Sequence, residues 1–327
     1  MKRGRYQMRL HSRGAALLAA MLTVTLVATF AAAAMWQQWR NIEVETAERA
    51  RIQSAWILIG ALDWSRLILA EDGRSSGPDH LAEPWAVPLE EARLSTFLAA
   101  QDGAVVQDAS TDTQDAFLSG RILDMQARLN LRSLLDNAAL LPEVHAQFER
   151  LFAQLGLPAS QLASLEQALL RASAAVGTSA TSASDAPLMP QQVEQIGWLG
   201  LPPSSVRALT PYVTVLPART TVNLNTAPSE VLLAAIDGLD RAGAERLLNA
   251  RETTPFRSLQ DAAALLGETI KLDAKLVGYT SHYFEVQGRL RLGDAAVSER
   301  SLVQRNGTLV NTLWRARAAD LAQQTPR

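Results

Sequence analysis

AALLAAMLTVTLVATFAAAAM, residues 15–35, contains no charged side chain. At about 1.5 Å of rise per residue, a helix of this length spans roughly 30 Å, the thickness of a bilayer's hydrocarbon core. The residues before it, MKRGRYQMRLHSRG, hold Lys2, Arg3, Arg5, Arg9 and Arg13 and no acid. Basic residues packed against one end of an apolar run stay on the cytoplasmic side. The stretch therefore predicts a single-pass chain with Met1 in the cytoplasm and everything after Trp36 outside. Two other readings are a buried core helix and a cleaved secretory signal. A secretory signal has a shorter apolar region, about 7–15 residues, closed by a small-residue cleavage site. Residues 31–34, all alanine, offer such a site.

Outward from this stretch, residues 36–70 continue without proline, and Gly60 is tolerable in a helix. Glu43, Glu45 and Glu48 face Arg49 and Arg51 in a solvated region. Beyond them Ile52, Ala55, Trp56, Ile59 and Leu62 recur at three- and four-residue steps, an apolar face. The spacing predicts one long helix, its first half in lipid and its second half packed on a soluble domain. Trp36 and Trp39 suit the membrane interface.

The chain has 327 residues, suited to about two domains. Its net charge of −2 gives no global basicity of the kind that draws nucleic acid. It contains no cysteine, which excludes disulfides, thiolate metal sites and cysteine nucleophiles. Glycines and prolines between residues 71 and 88 predict a loop. Residues 101–115 are polar and acidic, with Asp102, Asp108, Asp112 and Asp115 and no base. Read blandly this is a solvated loop. Read as chemistry it is a set of oxygen ligands for a hard cation such as calcium, without the EF-hand spacing.

Residues 120–131 read Gly-Arg-Ile-Leu-Asp-Met-Gln-Ala-Arg-Leu-Asn-Leu, strand-like runs about a turn, predicted as a hairpin. Residues 133–174 are helical in pattern: one helix opened by Pro142, with Phe148, Leu151, Phe152 and Leu155 as its stripe, and a second from Pro158. VGTSATSASDAPLMP, residues 176–190, is low-complexity and predicts a mobile loop. Two helix–turn–helix units follow, one from Val193 and one from Pro228. Between them stands Asn223-Leu-Asn-Thr-Ala-Pro228, where Asn225 or Thr226 can cap the helix that Pro228 opens. After Tyr283 the period changes to two. Phe284, Val286, Leu290 and Leu292 share one face, and Asn306-Gly307 is a strong hairpin signal. These strands, with the strand material near Gly120, predict a small antiparallel sheet whose apolar face covers the soluble half of the first helix.

Arg13-Gly14-Ala15-Ala16-Leu17-Leu18 resembles the prepilin peptidase site of type IV pilin-like proteins. In that family the leader is cut after the glycine and the helix is kept for assembly. Most members have Glu as fifth residue of the mature chain; here the fifth is Ala19. A carboxylate at that depth is costly without a partner, and the family's Glu is thought to meet the amino terminus of the subunit in front. The minor pseudopilin called general secretion pathway protein K, of type II secretion, lacks this Glu. Residues 120–131 resemble that family's G-x-I-x-D-x-Q-G-R-x-N-L hallmark, with Ala127 in place of the turn glycine. Residues 223–228 resemble its N-x-N-T-A-P signature.

The resemblance implies an α+β fold: a pilin-like long N-terminal helix, its first half transmembrane, on a small antiparallel sheet, with a large inserted all-α domain of helix-hairpin-helix and SAM-like units. It implies a cleaved leader over residues 1–14 and a transmembrane part over 15–36. The pilin-like domain takes 37–132 and, as C-terminal strands, 278–327. Inserted units take 133–205 and 206–277. It further implies cleavage between Gly14 and Ala15 and helix-to-helix assembly through the small residues Ala15, Ala16, Ala19 and Ala20. Implied partners are the I, J and H minor pseudopilins, the major pseudopilin, prepilin peptidase and the bacterial inner membrane, with the soluble domains periplasmic. The implied place is the tip of a pseudopilus that drives folded proteins through the outer membrane. Calcium is the one cofactor it implies, in the pilin-like domain.

The competing reading is a membrane-anchored DNA-binding protein. Gly238-Leu-Asp-Arg-Ala-Gly-Ala244 resembles the helix-hairpin-helix motif, which holds DNA phosphates on backbone N–H groups. Here Asp240 stands where that motif has its second glycine, and a carboxylate there repels phosphate. No enzyme is predicted. His11, His80, His145 and His282 are scattered, and no nucleophile elbow, P-loop or dinucleotide fingerprint is present.

Overall fold

A computed structural model describes residues 12–75, 77–94, 96, 116–136, 139–175, 186–267, 269–293 and 295–318. The chain divides into two compact units, Met1–Trp56 and Ile57–Arg327. Helix α1, Ser12–Asp72, contributes to both. Within the first unit every side chain from 15 to 49 is exposed. An exposed run that includes Leu17, Leu22, Val27 and Phe30 demands lipid or a partner, because water disfavours it. Surface pairs such as Arg49–Glu45 at 2.5 Å add little.

The second unit is built on a five-stranded antiparallel sheet. Its strands are β1 (Leu89–Arg93), β2 (Ala116–Asp124), β9 (Tyr283–Leu292), β10 (Ala295–Asn306) and β11 (Leu309–Arg317), in spatial order β1-β2-β9-β10-β11. Register places Leu118 beside Leu290 and Ile122 beside Val286. These side chains form one apolar face, onto which Leu58, Leu62 and Leu69 of α1 pack. The helical period put Trp56 and Ile52 on that face, yet Trp56 is 68% exposed and Ile52 56%. Residues two apart lie about 200° apart around a helix, so burying Leu58 turns Trp56 outward.

Two glycines allow close approach. Gly288 sits under Leu58: a Cβ there would lie 3.2 Å from Leu58 Cδ2. Gly73, just past α1, meets the β10–β11 turn, where a Cβ would lie 2.2 Å from the Gly307 carbonyl oxygen. The Asn306-Gly307 turn forms as predicted, with Gly307 at φ 58° and Asn306 opposite Leu309.

Between β2 and β9 the chain makes short elements. They are β3 (Leu129–Asn130), β4 (Leu135–Asp136), β5 (Ala139–Leu140), α2 (Pro142–Gln154), α3 (Ala159–Ala175), α4 (Pro203–Leu209), β6 (Val213–Thr214), β7 (Val222–Asn223), α5 (Ser229–Ala235), α6 (Arg241–Thr253), α7 (Leu259–Ala263) and β8 (Val277–Gly278). One apolar core, with members only from Leu129 to Val277, holds them together. It includes Phe148, Leu151 and Phe152 of α2, as the stripe predicted, and Val231 and Leu232 of α5.

Residues 120–131 are not a hairpin. β2 pairs with β1 and β9, and β3 leaves the sheet to pair in parallel with β6. The first turn unit opens with a 3-10 helix, Val193–Leu199, rather than an α-helix.

Candidate functional site

The apolar segment is the first candidate. Ala15, Ala16, Ala19 and Ala20 are all exposed, and Gly14 lies within α1. The segment's three hydroxyls bond back to the helix: Thr23 to Ala20 O at 2.9 Å, Thr25 to Met21 O at 2.9 Å and Thr29 to Leu26 O at 2.8 Å. No side-chain donor there needs water, which suits a hydrocarbon environment. Trp36 and Trp39 touch each other at 5.6 Å between ring centroids and stay exposed at the segment's end.

The second candidate is a buried polar junction assembled from both motif stretches. Asp124, at the end of β2, is 6% exposed and collects four donors. The Gln126 backbone N–H and Asn223 Nδ2 donate at 2.7 and 3.1 Å. The hydroxyls of Thr226 and Ser281 donate at 2.6 Å each. Asn223, fully buried, also donates to Asp79 O at 3.1 Å. Gln126 donates to Thr221 O at 3.1 Å and accepts from His282 N–H at 2.7 Å. Asn130 holds Ala218 O at 2.7 Å and accepts from Leu216 N–H at 3.1 Å. Burial pushes the Asp124 carboxyl above its ordinary value, against the pull of the Ser281 and Thr226 hydroxyls.

This corrects the capping expectation. Pro228 itself is the N-cap of α5, without a side-chain bond. Thr226 turns to Asp124, and Asn225 bonds the Phe256 backbone on both sides, Nδ2 to O at 3.0 Å and Oδ1 from N–H at 2.8 Å. Arg251 braces the same loop on Leu224 O and Ala227 O at 2.8 and 2.6 Å. Buried polar groups must be paired, and these pair across the seam between the sheet and the inserted helices.

A third cluster closes the end of α1. Arg305 of β10 makes ion pairs with Asp72 and Asp79 and donates to Ser281 O at 2.9 Å. Sequence reading missed Arg305, because its partners lie more than 200 residues away. Asp72, Asp79 and Glu83 place carboxylate oxygens within 4.8 Å of one another. Burial raises Glu83 to about 7, opposed by hydrogen bonds from His80 N–H and Trp85 Nε1. The Arg305 guanidinium already supplies a cation to two of these acids, Asp72 and Asp79. The predicted ligands Asp102, Asp108, Asp112 and Asp115 lie outside the described residues, as does most of the low-complexity stretch.

The DNA reading meets a local obstacle. Asp240 is the N-cap of α6 and accepts from Gly243 N–H at 2.7 Å. Its carboxylate occupies the donor a phosphate would take and adds negative charge at that helix start.

Two family models, both described as type II secretion system protein K, match residues 127–218 and 222–278. The second match contains the whole 223–228 stretch, with Asn223 and Thr226 of the junction, and the first begins at Ala127, just after Asp124 and Gln126. A curated relative, type II secretion system protein K of Pseudomonas aeruginosa, is 28% identical over 95% of this chain and 91% of its own. Among solved structures, a chain of the GspK–GspI–GspJ complex of the enterotoxigenic Escherichia coli type 2 secretion system has the same fold. That match has a TM-score of 0.59 at 17% identity and covers 84% of this chain and 99% of that one. In sequence over these two stretches, and along most of its length at lower identity, the chain is similar to type II secretion system protein K.

Proposed function

We propose that the protein is a minor pseudopilin at the tip of the type II secretion pseudopilus, where it supports export of folded proteins across the outer membrane. The observation that carries this is Ala19 on an exposed apolar helix whose first acid is Glu43. A subunit without a carboxylate in that segment cannot pair with the amine of a subunit in front of it, yet its own amine stays available to the subunit behind. The crystallised relative assembles with GspI and GspJ, which supports the I and J pseudopilins as this chain's partners, beside H and the major pseudopilin.

In this reading prepilin peptidase cuts after Gly14. Ala15, Ala16, Ala19 and Ala20 let neighbouring helices approach closely. The chain crosses the bacterial inner membrane once, with its amino terminus cytoplasmic and its soluble parts periplasmic. Residues 133–277 form an insertion in a pilin-like domain, and its bulk suits a terminal position. The role is structural rather than catalytic, and no nucleic acid takes part. Calcium, where bound, is held by Asp102, Asp108, Asp112 and Asp115. Cross-linking along assembled pseudopili tests the placement: the tip reading expects this chain once, at an end, and fails if it recurs along the filament.

A further inference from the structure

The face of the sheet turned away from α1 carries a second, unassigned site. Register aligns Arg121, Gln287 and Arg300 across β2, β9 and β10, and beside them Leu123, Glu285 and Leu302. The start of the 3-10 helix at Val193, the end of α4, and β6 stand over this floor and enclose a cleft of about 660 Å³. A cavity of about 410 Å³ adjoins it, sharing Gln191, Val215, Leu302 and Trp314 as lining.

The cleft's charges are unbalanced. Four arginines line it, Arg121, Arg128, Arg207 and Arg300, against the two carboxylates Glu194 and Glu285. Both carboxylates are engaged: Glu194 by Arg300 at 2.8 Å and Glu285 by Gln287 Nε2 at 2.6 Å. Arg121 donates to Gln287 Oε1 at 2.7 Å. The Arg128 side chain makes no hydrogen bond or ion pair with any described residue. Asp124, Gln126 and Asn130, its polar neighbours in the same motif, are fully engaged in the junction. Burial lowers the Arg128 guanidinium below its ordinary value, against the longer-range pull of Glu285, Asp124 and Glu194. Two lining residues hold buried polar atoms without a partner, Thr214 Oγ1 and Trp314 Nε1. A partly buried guanidinium without a protein acceptor suits an acceptor-rich anion. The apolar lining, Leu123, Met125, Val193, Val215 and Leu302, calls for hydrocarbon beside it.

We propose that this cleft binds a carboxylate side chain, flanked by apolar residues, from another polypeptide, with Arg128 as the anion's main partner. A polypeptide source follows from two features. The cleft and its neighbour exceed what one small acid fills. They also border β11, the sheet's edge strand, whose outer side pairs with no described strand and whose Trp314 and Leu313 line the cavities. An extended segment can add to such an edge and place alternate side chains inward.

The test is thermal melting of the full chain in detergent micelles with acetyl-Val-Glu-Val-amide, its Gln twin, and isovalerate, each at 10 mM and matched ionic strength. The Glu peptide is expected to raise Tm by about 2 °C or more. The Gln twin is expected to give less than half that shift, and Arg128→Gln to abolish the difference while keeping its own cooperative melt. Equal shifts from the Glu and Gln peptides, no shift from either, a shift from isovalerate alone, or a difference that survives Arg128→Gln would overturn the proposal. If Arg128→Gln does not fold, raising chloride from 50 to 500 mM on the unaltered protein decides: the difference must shrink, and a salt-independent difference counts against the cleft.

Discussion

Asn223 shows how one residue can tie two parts of a molecule together. Its amide donates to Asp79 O, Asp124 Oδ2 and Ser281 Oγ, and its Oδ1 accepts from Asn225 N–H at 2.9 Å. Asn223→Ala leaves a carbonyl and a carboxylate short of a donor in a site that excludes water. Each unsatisfied buried group costs about 1–3 kcal/mol, so the variant should lose about 2–4 kcal/mol in urea unfolding. A loss under about 0.5 kcal/mol, the scale of an ordinary surface change, would show that the junction is not a structural tie. Gly73 makes a separate case. A methyl there runs into the Gly307 carbonyl, and backbone cannot swing aside as a side chain can. Gly73→Ala should cost about 1–3 kcal/mol, measured in the same way. Little of this was legible beforehand. The motif N-x-N-T supplies short polar side chains, and short polar side chains next to a proline are also what helix caps look like. Only the fold shows that Thr226 faces Asp124, 102 positions earlier.

At the scale of elements, α2 and α3 are joined by His145, whose Nδ1 lies 2.5 Å from Glu166 Oε1 and whose Nε2 lies 3.3 Å from Glu149. The Glu166 bond raises the imidazole above its ordinary 6.5. A folded state that holds a proton more tightly gains stability that is fully present below pH 6.5 and is lost as pH rises through the raised value. Glu83 acts in the same sense over a lower window. Its folded carboxyl is lifted from 4.5 to about 7, so its contribution is full below 4.5 and fades between 4.5 and about 7. Melting temperature should therefore fall from pH 6 to pH 8, and Glu166→Gln should remove part of that fall while Glu83 keeps the rest. An undiminished fall in Glu166→Gln would rule out the α2–α3 contact as its source. The acidic stretch before β2 gives another element-level expectation. If Asp102, Asp108, Asp112 and Asp115 hold calcium, millimolar calcium should raise Tm of the metal-free full chain by linkage, and an unchanged Tm would remove the idea.

Elements with strong local patterns were readable in the sequence: α1 from its unbroken apolar and helical run, β9 from its period of two, and the β10–β11 turn from Asn306-Gly307. Residues 120–131 were misread because β3 is only two residues long and pairs with β6, more than 80 positions away. No local signal reports such a pairing.

For the whole molecule, the junction changes what removing the inserted helices should do. Excising 133–277 behind a short Gly-Ser bridge takes away Asn223 and Thr226 and leaves Asp124 with its backbone and Ser281 donors alone. The excised chain should melt lower than the full one, and Asp124→Leu should recover part of the loss, since an apolar group needs no donor. On the proposed tip placement, an excised form that keeps its fold should also enter positions other than the tip. Ala19→Glu addresses the same placement from the membrane side: partner binding should stay nearly intact, because a tip subunit has no use for that carboxylate.

All of these placements require that the apolar helix be retained after processing. Intact mass measurement of the mature protein's amino terminus from its native membrane tests that most directly. Cleavage after Gly14, with Ala15 as the first residue, is the expected result. A mature terminus near Gln37 would mean that residues 15–36 are removed with an ordinary secretory signal, and would contradict it.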